Sequence, residues 1–226
     1  MHLPDHLLNS GLAGGLLAGA AALLGYAFGK VMKAVTAMVH AFAGNNGQKI
    51  STGSFSFSKG AGSYFAKLAI IALWVFACQM FNLPVTSSTS VHLIGGVFAV
   101  ILVGPYAGAL VIALVLIVQS VFFGDGGISA LGANIFNMAF IGAFAAYYVY
   151  KSLAEKNYYL AVIAACLFSV LGAAFSCLTQ LSISGAVSFT AAFKDMMGLH
   201  FLAAVVEIAL TLMLLKAFKG LNYENR

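Results

Sequence analysis

Charge is what this sequence has least of: 6 acidic and 11 basic side chains among 226 residues, 8% charged in all. So few charges cannot wet the surface of a soluble globular domain, and with 62% hydrophobic residues and a mean hydropathy of +1.00 the chain is suited to a bilayer as its solvent. Cysteine is scarce as well. Cys78, Cys166 and Cys177 all fall in apolar tracts, and an odd intramembrane set argues against a disulfide framework and against a cysteine-based zinc site. No Lys or Arg precedes Lys30, so the chain lacks the positive leading region of a cleavable signal, and Met1 is expected to be the mature N-terminus. The basic residues give a net charge of +5, yet they scatter at helix ends and never cluster with aromatics. That excludes a nucleic-acid partner and points instead to membrane topology.

Apolar runs punctuated by Gly, Pro, Asn and charge predict about seven helices, at roughly 9–42, 64–82, 92–104, 106–123, 129–151, 158–180 and 196–219 by the length needed to cross a bilayer. The fold class is therefore an all-α polytopic membrane bundle, one domain over residues 1–226. Gly104-Pro105 divides the short third helix from the fourth, and the polar stretch 44–63 reads as a cytoplasmic loop. With seven crossings and the N-terminus outside, Lys30, Lys33, Lys49, Lys59, Lys67, Lys151, Lys156, Lys216, Lys219 and Arg226 all fall inside. Only Lys194 then falls outside. Lys and Arg are retained on the cytoplasmic side, so the predicted orientation is N-terminus outside and C-terminus inside. Gly11, Gly15 and Gly19 sit four apart on the first helix, a spacing for close packing within the chain or against a partner.

Polar groups at membrane depth are costly enough to suggest function. They are His2, Asp5, His6, His40, His92, Asp125, Asn134, Asn137, His200 and Glu207. The opening Met1-His2 is a chelate in itself. The Met1 amine, the His2 amide nitrogen and the His2 Nδ1 can bind one metal in consecutive positions, closing a five-membered and then a six-membered ring. A deprotonated amide nitrogen favours a square plane, which suits Ni(II) or Cu(II) and admits Co(II). His92 is expected at the outer start of the third helix, behind a Thr/Ser-rich loop including Ser90 that can fix its tautomer. Asn134 and Asn137, one turn apart, can share a face that hydrogen-bonds the N-terminal segment or can equally be ordinary hydrogen-bonding glue between helices. Gly124-Asp125-Gly126-Gly127 reads as an external turn whose Asp125 attracts cations or anchors the N-terminal segment. His200 and Glu207 lie seven apart on one helix face. His40 reads as a solvated residue at the inner end of the first helix.

The opening Met-His-Leu-Pro-Asp, the run Gln79 to Gly96 and the run Gly124 to Met138 together resemble the CbiM/NikM family, the metal-specific substrate-binding components of energy-coupling-factor (ECF) cobalt and nickel transporters. The resemblance covers residues 1–8 and 76–150, with a weaker echo from His200 to Thr211. It implies that residues 1–8 fold into the bundle and that Met1, His2 and His92 hold the metal. Asp5, His6, Ser90, Asp125, Asn134, Asn137, His200 and Glu207 would then lie around them. It also implies a subunit without its own ATPase, working with a transmembrane coupling subunit, two ATPase subunits and often a small accessory membrane subunit. Its location would be the cytoplasmic membrane of a bacterium or archaeon. No cofactor is implied beyond the transported Ni2+ or Co2+.

Where the family opening commonly has Gly after the acidic residue, this chain has His6, an extra donor or a surface residue. Gly29-Lys30 is not a phosphate loop, since Leu24 and Val31 occupy its required Gly and Ser/Thr positions. The competing classes are a haem- or zinc-binding membrane protein and a purely structural subunit. Neither a His-Glu-x-x-His motif nor a matched histidine pair for haem is present in the sequence.

Overall fold

The computed structural model describes residues 2–45, 59–80, 83–86 and 89–223. Seven helices follow one another: α1 (Ser10–Asn45), α2 (Lys59–Gln79), α3 (Gly96–Val103), α4 (Pro105–Phe123), α5 (Leu131–Ala154), α6 (Tyr158–Ile183) and α7 (Phe189–Tyr223). Six of them are long and apolar enough to cross a membrane, and the chain is a multi-pass membrane protein. Two helices have side-chain N-caps: Asn9 accepts from Leu12 N at 2.9 Å, and Asn157 accepts from Leu160 N at 3.0 Å. Between α2 and α3 an antiparallel hairpin pairs β1 (Leu83–Thr86) with β2 (Thr89–Val91). The predicted loop 44–63 is shorter at both ends, and its residues 46–58 lie outside the described residues.

The exception among the helices is α3. It has only eight residues, and five in succession, Gly96 to Val100, are buried, so it is apolar all round and lies at the centre of the bundle. His92 to Gly95, expected to be helical, instead run as irregular chain ahead of it. Gly95 has φ +69°, which breaks any continuous helix at that point. The irregular chain and α3 together still make a crossing antiparallel to α2. Ile94 O accepts from Gln79 Nε2 at 2.8 Å, and Leu102 O accepts from Lys67 Nζ at 2.8 Å. Those two α2 residues are about 18 Å apart along the helix axis.

One end of the bundle collects the N-terminal segment, the hairpin, the turn after α4 and the α6–α7 connection. There Asn9 N donates to Ser184 Oγ at 3.2 Å. The other end collects Val31, Val35, Tyr64, Tyr106 and Ala107, with Lys30 over the Tyr26 ring and Lys67 at Leu102. Lys151, in the last turn of α5, and Lys156, just after it, belong to that same end. His40 is exposed on α1.

Two helices carry π-helical stretches, at Gln119–Phe123 closing α4 and at Phe136–Ala145 within α5. Such stretches shift the register of a helix face and free carbonyls for other donors. In α5 the Gly142 carbonyl takes the Ser169 hydroxyl at 2.5 Å. The α1 glycines do not serve the packing within this chain that their spacing allows: a Cβ added at Gly15 or Gly19 meets nothing within 4 Å. The close approach comes instead from α5, where a Cβ on Gly132 would stand 2.4 Å from the Leu17 backbone.

Candidate metal site

The N-terminal segment lies inside the bundle rather than on it. Leu3 is fully buried in the central core, an anchor contributing about 1.5–3 kcal/mol. Its backbone is held on both sides. Leu3 N donates to Asn134 Oδ1 at 2.8 Å, while Leu3 O accepts from Asn134 Nδ2 at 3.2 Å and from Gly127 N at 2.8 Å. Two residues on, Asp5 Oδ1 accepts from Ser129 N at 2.7 Å and Ser129 Oγ at 2.6 Å. Those two donors hold the exposed Asp5 carboxyl below the usual carboxylate range.

The turn from Gly124 to Ser129 is shaped to receive this segment. Gly124 and Gly126 have φ of +65° and +88°, conformations glycine adopts without strain. At Gly127 a Cβ would overlap the Asp5 amide, so only glycine lets the two backbones approach. Asp125 then reaches back to His2, with Oδ1 2.9 Å from His2 Nδ1.

Docking carries His2 against His92. Their rings stack with centroids 4.3 Å apart and 25° between planes, at 4% and 2% exposure. The His92 Nδ1 is 2.8 Å from the Leu93 carbonyl. A carbonyl only accepts, so the proton of neutral His92 sits on Nδ1 and Nε2 presents a lone pair. On His2, donation from Nδ1 to the Asp125 carboxylate leaves Nε2 in the same condition. Both Nε2 atoms are buried, and neither has a hydrogen-bond partner among the described residues. Burial pushes the His2 imidazole below its ordinary pKa, with Asp125 pulling it part of the way back. A buried imidazole nitrogen left without a partner costs free energy.

The remaining candidates divide. Glu207 on α7 accepts from Ile94 N at 2.8 Å and Gly95 N at 2.7 Å, bracing the chain just beyond His92. His200 is fully buried, with Nδ1 on Met196 O at 2.7 Å and Nε2 unpartnered. It lies eleven residues into α7, which begins at Phe189, rather than at the helix start. His6 is exposed at φ +70°. Ser90 is in β2, opposite Pro84. Asn137 does not share the role of Asn134. It bonds Gln180 Oε1 at 2.9 Å, Gln180 Nε2 at 2.8 Å and Ser176 Oγ at 2.7 Å on α6. The two side chains point about 60° apart around the helix and so meet different neighbours. Met1 lies outside the described residues.

Sequence reasoning missed Leu3, Gln79, Ser129, Ser176 and Gln180. The two glutamines sit in apolar helices and carried the same signal as the residues singled out, that of an uncharged polar group at membrane depth. Among the described residues no group of three or more His, Cys, Asp and Glu side chains is arranged to hold a metal.

The family described as "Cobalt uptake substrate-specific transmembrane region" matches residues 53–224. A protein of Archaeoglobus fulgidus with the provisional name fused nickel transport protein NikMN is 38% identical over 157 residues, covering 70% of this chain and 44% of that protein. The cobalt transport protein CbiM of Acetoanaerobium sticklandii is 40% identical over 105 residues, covering 46% of this chain and 43% of that protein. The chain thus matches less than half the length of either relative. Two crystal structures of transition metal transporters superpose at 27% identity. One, of a truncated protein, has a TM-score of 0.80 over 97% of this chain and 99% of that one; the other has 0.81 over 100% and 95%.

Proposed function

The chain belongs to the family of cobalt uptake substrate-specific transmembrane regions, and from that membership we propose that it is the ion-capture membrane subunit of an ATP-driven importer of Ni2+ or Co2+. The observation that carries the proposal is the stacking of His2 on His92, whose buried Nε2 has no partner among the described residues, on a segment fastened by Asn134, Gly127 and Ser129. Burial favours the neutral form of the His2 ring, the state in which an imidazole ligates a metal.

In the full site the ion is held by the Met1 amine, the His2 amide nitrogen, the His2 Nδ1 and the His92 Nε2. Four nitrogens in a plane match the preference of Ni(II) and admit Co(II), and the same donors serve both. Taking up this geometry, His2 Nδ1 exchanges the Asp125 carboxylate for the ion, and the ring turns about Cα–Cβ and Cβ–Cγ to do so. Asp125 is 19% exposed and marks the side from which a cation arrives. Glycines at 124, 126 and 127 let the turn close over the bound segment.

The end of the bundle that bears this site faces outward, and the lysine-rich end faces the cytoplasm of a bacterium or archaeon. Energy comes from an ECF-type assembly: a transmembrane coupling subunit and two ATPase subunits, with a small accessory membrane subunit. A structural subunit would have no metal affinity, so titration of the purified protein with Ni2+ and Co2+ separates the readings. His2→Ala and His92→Ala should each lower affinity by more than the 10- to 100-fold typical of removing an outer partner. Equal affinity in all three proteins refutes the site.

A further inference from the structure

We propose that Glu207 ties the position of α7 to the metal ligand His92, so that displacing α7 relative to α2 and α3 opens the site and releases the ion. The inference rests on the ion-capture reading above and adds a route by which movement elsewhere reaches the ligands.

The chain from His92 to Gly95 belongs to neither β2 nor α3, yet it lies within the bundle. Irregular backbone at membrane depth persists only where its N–H and C=O groups find partners in the protein. Here the partners are side chains from two helices. Both oxygens of Glu207, on α7, accept from the consecutive amides of Ile94 and Gly95, and Gln79, on α2, donates to the Ile94 carbonyl. The consecutive amides of Ile94 and Gly95 point to the same side, so one carboxylate takes both. Glu207 is 2% exposed and Gln79 fully buried, so water does not stand in for either.

His92 is only two residues before Ile94, and its ring is fixed through the carbonyl of the residue between them. A shift of α7 along or across the bundle moves the carboxylate, the carboxylate moves Ile94 and Gly95, and the ring swings off the ion. Beside the carboxylate is a small cavity lined by Trp74, Cys78, Leu93, Phe98 and Thr211, so packing on that side is not closed against movement.

Coupling of this kind is reciprocal: if α7 controls ion binding, ion binding must tighten the α7 contact. The first experiment uses the wild-type chain, following amide hydrogen exchange with and without Ni2+. Exchange at Ile94 and Gly95 should slow at least tenfold on binding, in step with the α7 amides around Glu207. Unchanged exchange there, with Ni2+ bound in a manner dependent on His2 and His92, overturns the inference and leaves the capture reading intact. Binding that depends on neither histidine overturns the capture reading itself.

The second uses Glu207→Gln, which keeps the shape but sets an amide NH2 against one of the two N–H groups, and Glu207→Asp, which keeps the charge and shortens the reach. Either variant should retain the wild-type unfolding midpoint to within a few degrees while losing about 10- to 100-fold in Ni2+ affinity. Its visible ligand-field band should move toward that of His92→Ala. A folded variant with wild-type affinity and band shows a merely structural carboxylate and sinks the inference.

Discussion

The side-chain amide of Asn134 holds both polar groups of the Leu3 backbone, accepting from its N–H at 2.8 Å and donating to its carbonyl at 3.2 Å, although 131 residues separate the two. One amide thus acts as a two-bond strand partner for the segment that carries His2. Asn134→Leu keeps the branching of the side chain and removes both bonds, leaving only Gly127 N on Leu3 O. Ni2+ affinity should fall by about 10- to 100-fold, and limited proteolysis should cut near residue 3 in the variant but not in wild type. An uncut, fully binding variant means that Leu3 burial alone docks the segment.

Glycine at 127 is required by proximity, and Gly198 supplies a control. A methyl at Gly127 overlaps the Asp5 amide, whereas one at Gly198 on α7 meets nothing within 4 Å. Gly127→Ala should cost about 1–3 kcal/mol as overpacking and should break the two Asp5–Ser129 bonds, seen as faster exchange at Ser129 N. Gly198→Ala should leave both metal binding and thermal midpoint unchanged or slightly raised.

His6 occupies a left-handed conformation, φ +70°, that costs a residue with a side chain about 1–2 kcal/mol and glycine nothing. His6→Gly should raise the unfolding midpoint in detergent without lowering Ni2+ affinity. A loss of affinity in this variant would make His6 a metal donor.

Stability of the metal-free protein should depend on pH through His2. Burial holds its folded imidazole below the unfolded value of about 6.5. As pH drops below that value the unfolded chain takes up a proton that the folded chain refuses, so stability declines. The decline ends once the folded imidazole is protonated too. The thermal midpoint should fall between about pH 7.5 and about 5.5, the window set by the unfolded pKa and the downward shift. A His2→Gln variant should lose much of that slope. An identical slope in the variant assigns the pH dependence to other groups.

Most of the bundle was legible because membrane helices announce themselves by length and by lysine placement. Residues 106–123 and 158–180 were read to within a few residues. His92 to Gly95 was misread as helix because its apolar run gives no sign that Gly95 takes a positive φ or that Glu207 and Gln79 will satisfy bare backbone from far along the chain. His2, Asp5, Asp125 and Asn134 were legible as polar groups where the bilayer penalises them. Their pairing was only partly so. The sequence left Asn134 and Asn137 open between holding the N-terminal segment and bonding a neighbouring helix; Asn134 does the first and Asn137 the second, a division that spacing alone does not decide.

The most direct test is a Ni2+ titration of the chain beginning at Met1 against a variant with one residue added ahead of it. The extra residue moves the free amine out of ring-closing reach of the His2 amide and Nδ1 while leaving His2, His92 and the docking contacts unaltered. Affinity should collapse in the extended variant, with loss of the planar four-nitrogen spectrum. Undiminished binding with an unchanged spectrum would contradict the terminal chelate and assign the ion to the two imidazole Nε2 atoms instead.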